Sequence, residues 1–348
     1  MAETTPTRRR LLPGRTTARQ VDIALELLVV TAIATGLASW WAGDRWNGWL
    51  TAAHGTSGLT IALLVPAKVR GSVRAGLRRG RASRLLSITF GILVLATLAL
   101  GVAHATGTWF GTGQWSPLWT HELFGFLVIP LLAWHVLSRP VRRPAVRDID
   151  RRAVLRLGTV AAGAAGLYLL EDVATRAAGL AGGHRRHTGS HEVASFDPAG
   201  MPSVIWLNDQ RPDDVDPQRW DLVIHDKPVR IDELWERSHP VVAALDCTGG
   251  WWSQQSWDAV PLDELVTDPT GRSVCIRSHT GYSRLFPLAD LADLHLAVGY
   301  NGQPLRAGHG APVRLVVPGR RGPEWIKWVT RIDTDNRPAW LQPPLPLS

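Results

Sequence analysis

The sequence predicts a multi-domain protein in which an all-α transmembrane helix bundle is followed by a strand-rich α+β domain. The first half of the chain contains long apolar runs separated by clusters of arginine. The second half has scattered Asp, Pro and Trp residues and short stretches in which apolar and polar residues alternate. Long apolar runs are typical of membrane-spanning helices, and such alternation is typical of half-buried strands. The 348 residues are enough for two domains of ordinary size.

Four apolar runs in the first half are long enough to cross a bilayer, which takes about 20 residues. We expect these four to form a bundle and a fifth run to be a further membrane anchor. The four runs cover residues 21–41, 49–69, 85–107 and 119–137, and the fifth covers 153–170. The predicted domains are therefore a basic cytoplasmic tail (1–20), a four-helix domain (21–140), the fifth helix with the segment before it (141–172), a linker (173–200) and the α+β domain (201–345).

The arginine clusters predict how these helices are oriented. Basic residues are concentrated before the first helix, between the second and third, and after the fourth, whereas segments 43–47 and 105–117 carry almost none. Cytoplasmic loops of membrane proteins are enriched in Lys and Arg, so the chain is expected to start inside the cell. Five crossings of the cytoplasmic membrane then place the C-terminal domain on the extracytoplasmic side, with the helices in contact with lipid.

The basic character of the chain does not indicate nucleic-acid binding. The net charge is +8, but the basic residues lie mostly between the apolar segments and do not form one face. We therefore expect no nucleic-acid partner.

The chain has two cysteines, Cys247 and Cys275. Two are too few for a disulfide framework or for a cysteine-rich tetrahedral metal site. Cys275 lies in VCIR, whose alternation predicts a buried strand position. A single disulfide between the two cysteines is the alternative.

Histidines inside the apolar runs indicate function, because an ionisable side chain in a membrane is costly. His54 and His121 are expected at a similar depth near the outer face, and His104 lies near the same face. His135, fourteen residues after His121, is expected near the inner face. The segments AAHGTSGL and WTHELFGF around His54 and His121 are weakly similar to each other.

This arrangement resembles the four-helix di-haem cytochrome b families, in which histidines on two helices clamp a b-type haem. The resemblance implies one haem b near the outer face, with His54 and His121 as iron ligands and His104 as a substitute ligand. The residue fourteen positions after His54 is Lys68, so a second haem near the inner face would lack a histidine pair. The alternative is a bundle that serves only as an anchor and holds no haem.

Cys247 lies in the segment LDCTGGWW, and the segments HGAPVRLVVPG and WIKW follow about sixty residues later. Together these segments resemble the molybdopterin-binding domain of the sulfite oxidase superfamily, over roughly residues 200–340. The resemblance implies a mixed α+β fold and a molybdenum ion bound by the Cys247 thiolate. It also implies that His309, Arg314 and Lys327 contact the phosphate or the ring of the pterin.

The same resemblance implies further pocket residues. Asn208 in WLND, and Ser278, Thr280 and Tyr282 in SHTGYSR, lie where family members place additional cofactor and pocket groups. Tyr282 and Arg284, together with the metal cysteine, are the predicted catalytic residues. Arg284 is suited to attract an anionic or polar oxo substrate, either small or protein-bound. A surface salt bridge is the alternative role for Arg284.

Two departures from the family pattern bear on the substrate. Sulfite oxidases carry arginines soon after the metal cysteine, whereas this chain has Trp251 and Trp252. Glu324 in RRGPEWIKW also stands where the family often has a basic residue. These departures favour a substrate that is less charged than sulfite.

Arg151 and Arg152 open the fifth helix and resemble the twin-arginine export motif. The resemblance to molybdopterin proteins makes this pair informative, since their cofactor is inserted in the cytoplasm and the loaded domain must cross the membrane already folded. We interpret the pair as an internal export signal that is retained as an anchor. An ordinary cytoplasmic anchor is the alternative.

These expectations combine into a membrane-anchored, molybdenum-dependent oxidoreductase that transfers an oxygen atom and two electrons, similar to methionine sulfoxide reductase systems. A quinone would exchange electrons with the molybdenum through the haem. One alternative keeps the catalytic domain but gives it a haem-free anchor and a soluble electron carrier. Another is a non-catalytic relic that binds a ligand.

Overall fold

The structure, a computed structural model, describes residues 16–76, 81–112, 115–138, 150–204, 212 and 215–343. Its N-terminal half consists of five long helices, and all five are long and apolar enough to cross a membrane. They are α1 (Ala18–Ser39), α2 (Gly48–Gly76), α3 (Arg81–Thr106), α4 (Pro117–Leu137) and α5 (Arg151–Ala177). A helical region followed by a strand-rich domain is the predicted order, and the structure confirms it.

Side-chain caps set the starts of three of these helices. Thr17 and Gln20 form a capping box at the start of α1, and Ser116 caps α4 just before Pro117. Asp150 accepts a hydrogen bond of 2.7 Å from the backbone N–H of Ala153. This cap starts α5 two residues before the predicted apolar run.

The helices pack as two hairpins, α1 against α2 and α3 against α4, with α5 against α2. Gly55 on α2 allows the close approach of α5, because a Cβ at this position would lie 2.6 Å from Cε2 of Tyr168. The ion pair between Lys68 and Asp22, with a nitrogen–oxygen distance of 2.6 Å, joins α2 to α1. Trp40 at the end of α1 donates a hydrogen bond of 3.2 Å to Glu122 of α4.

The first sheet of the C-terminal domain is built around one long strand. Strand β5 pairs with β4 along one edge, and with β1 and β8 at the two ends of its other edge. Strands β9 and β10 both pair with β8. The strands are β1 (His191–Glu192), β4 (His239–Cys247), β5 (Trp251–Pro261), β8 (His295–Tyr300), β9 (Gln303–Pro304) and β10 (Arg314–Val316).

The second sheet has five strands in the order β3-β2-β11-β6-β7. They are β2 (Leu222–Ile224), β3 (Lys227–Val229), β6 (Ser273–Ser278), β7 (Ser283–Pro287) and β11 (Val329–Asp335). One hydrophobic core contains side chains from both sheets and from the short helix α6 (Ile231–Arg237). Cys275 is buried in β6, as predicted, and both cysteines are free.

Residues 173–200, the predicted linker, are packed between the helices and the first sheet. Helix α5 extends to Ala177, and strand β1 of this segment pairs with β5. Nε2 of His187 lies 2.9 Å from the carbonyl oxygen of Gly43, between α1 and α2. Arg185 donates to the carbonyl of Ala105 near the end of α3.

The C-terminal domain therefore lies at one end of the helical region. The helix ends that it contacts are those predicted to face the extracytoplasmic side.

Candidate functional site

Cys247 lies at the last position of β4, in the turn that leads into β5. The turn closes with a 3.1 Å hydrogen bond from the N–H of Gly250 to the carbonyl of Cys247. Gly250 has a φ of +84°, a conformation that side chains other than glycine rarely adopt. The backbone N–H of Gly249 points at Sγ of Cys247, at 3.4 Å. The two glycines thus turn the chain and present a hydrogen-bond donor to the sulfur.

Burial raises the pKa of the Cys247 thiol. The N–H of Gly249 and the positive charges of Lys327 and Arg321 act in the opposite direction but do not cancel the burial effect. Without a metal the sulfur is therefore a protonated thiol at neutral pH. A bound metal cation would displace this proton and keep the sulfur as a thiolate, as expected for a metal ligand.

Trp251 is the direct partner of Cys247 across the β4–β5 pair. Only 2% of Trp251 is exposed, and its buried Nε1 has no hydrogen-bond partner among the described residues. A Cβ built on Gly249 would lie 3.5 Å from Sγ of Cys247 and 3.6 Å from this Nε1. The indole N–H and the thiol therefore border the same small space. A buried donor without a partner is costly, so this donor is suited to an acceptor that arrives with a ligand.

Asp246 and Arg321 form a buried ion pair beside the cysteine, with a nitrogen–oxygen distance of 3.1 Å. Thr188 and Ser190 each donate a hydrogen bond of 2.7 Å to the carboxylate of Asp246. Sequence analysis did not identify this network. The acidic residue directly before the cysteine was the only local signal, and its partners lie 56 to 75 residues away along the chain.

The structure brings three predicted phosphate-binding residues to one region near Cys247. Arg314 is almost fully buried and donates to the carbonyl oxygens of His309 and Trp325, at 2.9 and 3.3 Å. Burial lowers its pKa to about 10. Lys327 donates to the carbonyl of Gly308 at 2.7 Å. Arg314 forms no ion pair with a carboxylate among the described residues, an arrangement that suits an anionic ligand.

His309 is held by the protein on both sides of its ring. Nδ1 lies 3.1 Å from the hydroxyl of Tyr300, and Nε2 lies 3.1 Å from the carbonyl of Met201. Burial, followed by the charge of Arg314, lowers the pKa of His309 to about 4. His309 therefore has a packing role in this structure, and its contact with the pterin stays a prediction.

The predicted pocket residues Ser278, Thr280 and Tyr282 lie in and around the turn between β6 and β7. The hydroxyl of Thr280 donates to that of Ser278 at 3.1 Å, and the hydroxyl of Tyr282 donates to the carbonyl of Pro323 at 2.6 Å. The N–H of His279 donates to the carbonyl of Trp328, which places this turn beside the WIKW segment. Asn208 lies outside the described residues.

The surface salt bridge that was the alternative role for Arg284 is not present among the described residues. Arg284 is 6% exposed and forms no ion pair within the described part of the chain. It donates a 2.9 Å hydrogen bond to the carbonyl of Pro343, and its guanidinium carbon lies 5.7 Å from the ring centre of Trp41. Because Trp41 follows α1, Arg284 is a contact between the two regions, and its predicted role toward substrate stays a prediction. Glu324, which stands where the family often has a basic residue, forms an ion pair with Arg320 at 2.8 Å.

The helical region brings His54 and His121 together, with ring centres 5.7 Å apart. Nδ1 of His54 lies 2.8 Å from the carbonyl oxygen of Ala32, and Nδ1 of His121 lies 2.8 Å from that of Thr97. Neither Nε2 has a hydrogen-bond partner among the described residues. With Nδ1 carrying the proton toward a carbonyl, the Nε2 lone pair is available to a metal.

The two histidine environments repeat each other. A Cβ on Gly36 of α1 would lie 3.1 Å from Cε1 of His54, and a Cβ on Gly101 of α3 would lie 3.1 Å from Cε1 of His121. In both hairpins the glycine comes four residues after the residue whose carbonyl accepts the hydrogen bond from the histidine ring. The weak similarity between the two segments in the sequence thus corresponds to a repeated local structure.

The remaining candidate residues of the helical region, His104 and Lys68, have other contacts. Nε2 of His104 lies 3.3 Å from the carbonyl of Gly189, and its ring centre lies 4.7 Å from that of His191. His104 therefore contacts the C-terminal domain, and its role as a substitute haem ligand stays a prediction. Lys68 is paired with Asp22.

The C-terminal domain thus combines a two-sheet fold with a partly buried cysteine, Cys247, and a buried arginine, Arg314. Residues 209–340 match the family described as oxidoreductase molybdopterin binding domain. The C-terminal domain is therefore similar to molybdopterin-binding oxidoreductase domains over these residues.

Curated relatives match shorter parts of the chain. Mitochondrial sulfite oxidase of Rattus norvegicus is 38% identical over 85 residues, which is 23% of this chain and 14% of the rat protein. Nitrate reductase [NADH] 1 of Oryza sativa subsp. japonica is 43% identical over 53 residues, 15% of this chain and 6% of the relative. The sulfane dehydrogenase SoxCD from Paracoccus pantotrophus, a crystal structure, aligns with a TM-score of 0.34 and 24% identity over 41% of this chain and 46% of that chain.

Proposed function

We propose that the protein is a membrane-anchored oxidoreductase that removes an oxygen atom from a neutral oxo substrate at a molybdenum centre held by Cys247. The geometry around Sγ carries this proposal, since the sulfur, the Gly249 N–H and the unpartnered Trp251 N–H border one space. The cations Arg314 and Lys327 are the proposed partners of the pterin phosphate. When bound, the cofactor supplies the two-electron oxygen-transfer chemistry, and the protein supplies its position and its electrostatic environment.

A sulfoxide is the favoured substrate class. Removing the oxygen atom from a sulfoxide takes two electrons and two protons and releases water, and a quinol that becomes a quinone supplies both. Next to Cys247 the chain presents the indole N–H of Trp251 where sulfite oxidases carry arginine. A neutral donor suits a polar, uncharged S=O group better than an anion such as sulfite.

The molybdenum site is tested by metal content in full-length protein purified in detergent. The wild type should contain about one molybdenum per chain. Cys247→Ala should lose most of this molybdenum and should no longer reduce a sulfoxide. Cys275→Ala is the matched control, because Cys275 is the other free cysteine and is buried in β6. Equal molybdenum in both variants would exclude Cys247 as the ligand.

We also propose one b-type haem between His54 and His121. The paired imidazoles, each fixed by a backbone carbonyl and each with an unpartnered Nε2, support this site. A haem would supply one-electron exchange between the quinone pool and the C-terminal domain. Reduced-minus-oxidised absorbance spectra of detergent-purified protein test the site. No haem absorbance in protein from haem-replete cells would favour the haem-free anchor and a soluble electron carrier.

The proposed location is the cytoplasmic membrane, with the C-terminal domain on the extracytoplasmic side. Large apolar side chains project outward from the helices, including Leu27, Ile92 and Leu169, each more than half exposed. Such a surface suits lipid and does not suit water. Arg151 and Arg152 are exposed at the start of α5, where an export signal would be accessible.

Protease protection in intact spheroplasts tests this location. The C-terminal domain of the wild type should be cleaved by external protease. Replacing both Arg151 and Arg152 with lysine keeps the positive charge and should leave the domain protected inside. Wild-type cleavage of the double variant would remove the export role.

A further inference from the structure

Arg321 is a single buried side chain that contacts both the helical region and the cysteine turn. Its NH1 donates to the carbonyl of Ser39, the last residue of α1, at 2.8 Å. Its NH2 donates to the carbonyl of Cys247 at 3.0 Å and also bonds the carboxylate of Asp246. Carbonyls at the end of a helix lack partners within the helix and favour a cation, so the end of α1 is a suitable anchor for this side chain.

A second contact reaches the same turn from α3. A Cβ on Gly250 would lie 2.6 Å from Cε1 of His104 and from Cδ2 of Leu118, so the turn lies directly against α3 and α4. Nε2 of His191, at the start of β1, lies 2.8 Å from the carbonyl of His104. The turn is thus enclosed by the helices on the side of Gly250 and tied to α1 on the side of Arg321.

A third contact keeps the two regions together away from the cysteine. Gly43, between α1 and α2, lies so close to the backbone of Gly319 and Arg320 that a Cβ would overlap it. Any larger residue at this position would push the helical region away from the C-terminal domain, without altering a side chain that touches the cysteine turn.

We infer that the helical region completes the cysteine side of the cofactor site, with Arg321 and His104 as positioning residues that hold the turn Cys247–Gly250 in place. The helices are then more than an anchor, because docking of the C-terminal domain on their outer ends fixes the position of Sγ. The relevance of this coupling to catalysis rests on the proposed molybdenum site, whereas the coupling itself is a property of the metal-free protein.

The test measures how fast a small alkylating reagent labels each cysteine in metal-free, full-length protein in detergent. The chain has only two cysteines, so mass spectrometry of two peptides reports both rates in one sample. Cys275, buried in β6, is an internal control. Unfolding of the domain would accelerate the labelling of both cysteines, whereas release of the turn would accelerate the labelling of Cys247 alone.

Arg321→Gln should raise the labelling rate of Cys247 relative to Cys275 by on the order of tenfold, because it removes charge-assisted hydrogen bonds to the turn and to α1. Arg320→Gln is the matched control. Arg320 is the neighbouring arginine, but its side chain pairs with Asp290 and Glu324 and does not contact the turn. Its ratio of labelling rates should equal that of the wild type.

Gly43→Val weakens the docking of the C-terminal domain on the helices but leaves Arg321 unchanged. It should also raise the labelling rate of Cys247 relative to Cys275, which separates the effect of docking from the local effect of Arg321. The inference is wrong if neither Arg321→Gln nor Gly43→Val raises the ratio, or if both accelerate the two cysteines equally. Molybdenum content is measured separately in the wild type and Cys247→Ala. A wild type without molybdenum would refute the proposed function and leave the labelling result valid.

Discussion

Trp251 and Cys247 are directly opposed in the β4–β5 pair, and the buried indole N–H of Trp251 has no partner among the described residues. Directly opposed residues of antiparallel strands project to the same face of the sheet, which explains why both groups border the space around Gly249. A chain that keeps a buried donor unsatisfied beside a thiol gains stability when an acceptor occupies that space. We therefore expect the indole to donate to the thiolate or to an oxygen atom of the bound ligand.

Trp251→Phe should keep the ring packing and remove this donor. A hydrogen bond to a charged group contributes about 1.5–3 kcal/mol, so turnover should fall by roughly tenfold or more. The electron paramagnetic resonance signal of the bound molybdenum should shift as well. Trp252→Phe is the control, because the side chain of Trp252 points to the opposite face and lies under Arg186. An unchanged signal in Trp251→Phe would assign Trp251 to packing alone.

The buried His309 should make the free energy of unfolding depend on pH. In the folded protein its pKa is lowered to about 4, whereas in the unfolded chain it is near 6.5. The unfolded state therefore binds more protons between these values. The free energy of unfolding is therefore highest, with respect to His309, above pH 6.5. It falls by roughly 3 kcal/mol in total as the pH drops to about 4.

His309→Gln should weaken this pH dependence, because glutamine can bond to the same partners but does not titrate. The measurement is the midpoint temperature of thermal unfolding between pH 4 and pH 7, on metal-free full-length protein in detergent. His279→Gln is the control, since His279 is exposed on the turn after β6. An equal loss of midpoint temperature on acidification in wild type and His309→Gln would contradict the assignment.

Arg314 and Lys327 should determine how tightly the pterin is retained. Both side chains are cations, and charge-assisted hydrogen bonds to phosphate are stronger than neutral ones. Replacing either with methionine should reduce bound pterin by on the order of tenfold when the cofactor is limiting. Pterin fluorescence after acid release measures the content. Arg331→Met is the control, because Arg331 pairs with Asp226 and Asp333 at the surface.

Local sequence patterns predicted much of this architecture, because they depend on neighbouring residues. The apolar runs predicted the five helices, and the alternation around Cys275 predicted its buried strand. The positions of His104 and Arg284 could not be predicted in this way, because both depend on contacts between the two regions. Arg321 is 282 residues from Ser39, and no periodicity or spacing in the chain indicates that pairing. The network beside Cys247 was missed for the same reason.

The repeated histidine environment predicts that glycine at position 101 is required for haem binding. A side chain at Gly101 would press on the ring of His121, since even a Cβ would lie 3.1 Å from Cε1. Gly101→Val should therefore abolish the b-type absorbance by displacing the imidazole. Gly91→Val is a matched control on the same helix, because a Cβ at Gly91 meets nothing within 4 Å. Both variants replace a helical glycine with the same β-branched residue, so their effects on helix propensity are alike. Normal haem content in Gly101→Val would place the haem elsewhere, whereas loss in Gly101→Val alone would assign it to the space between His54 and His121.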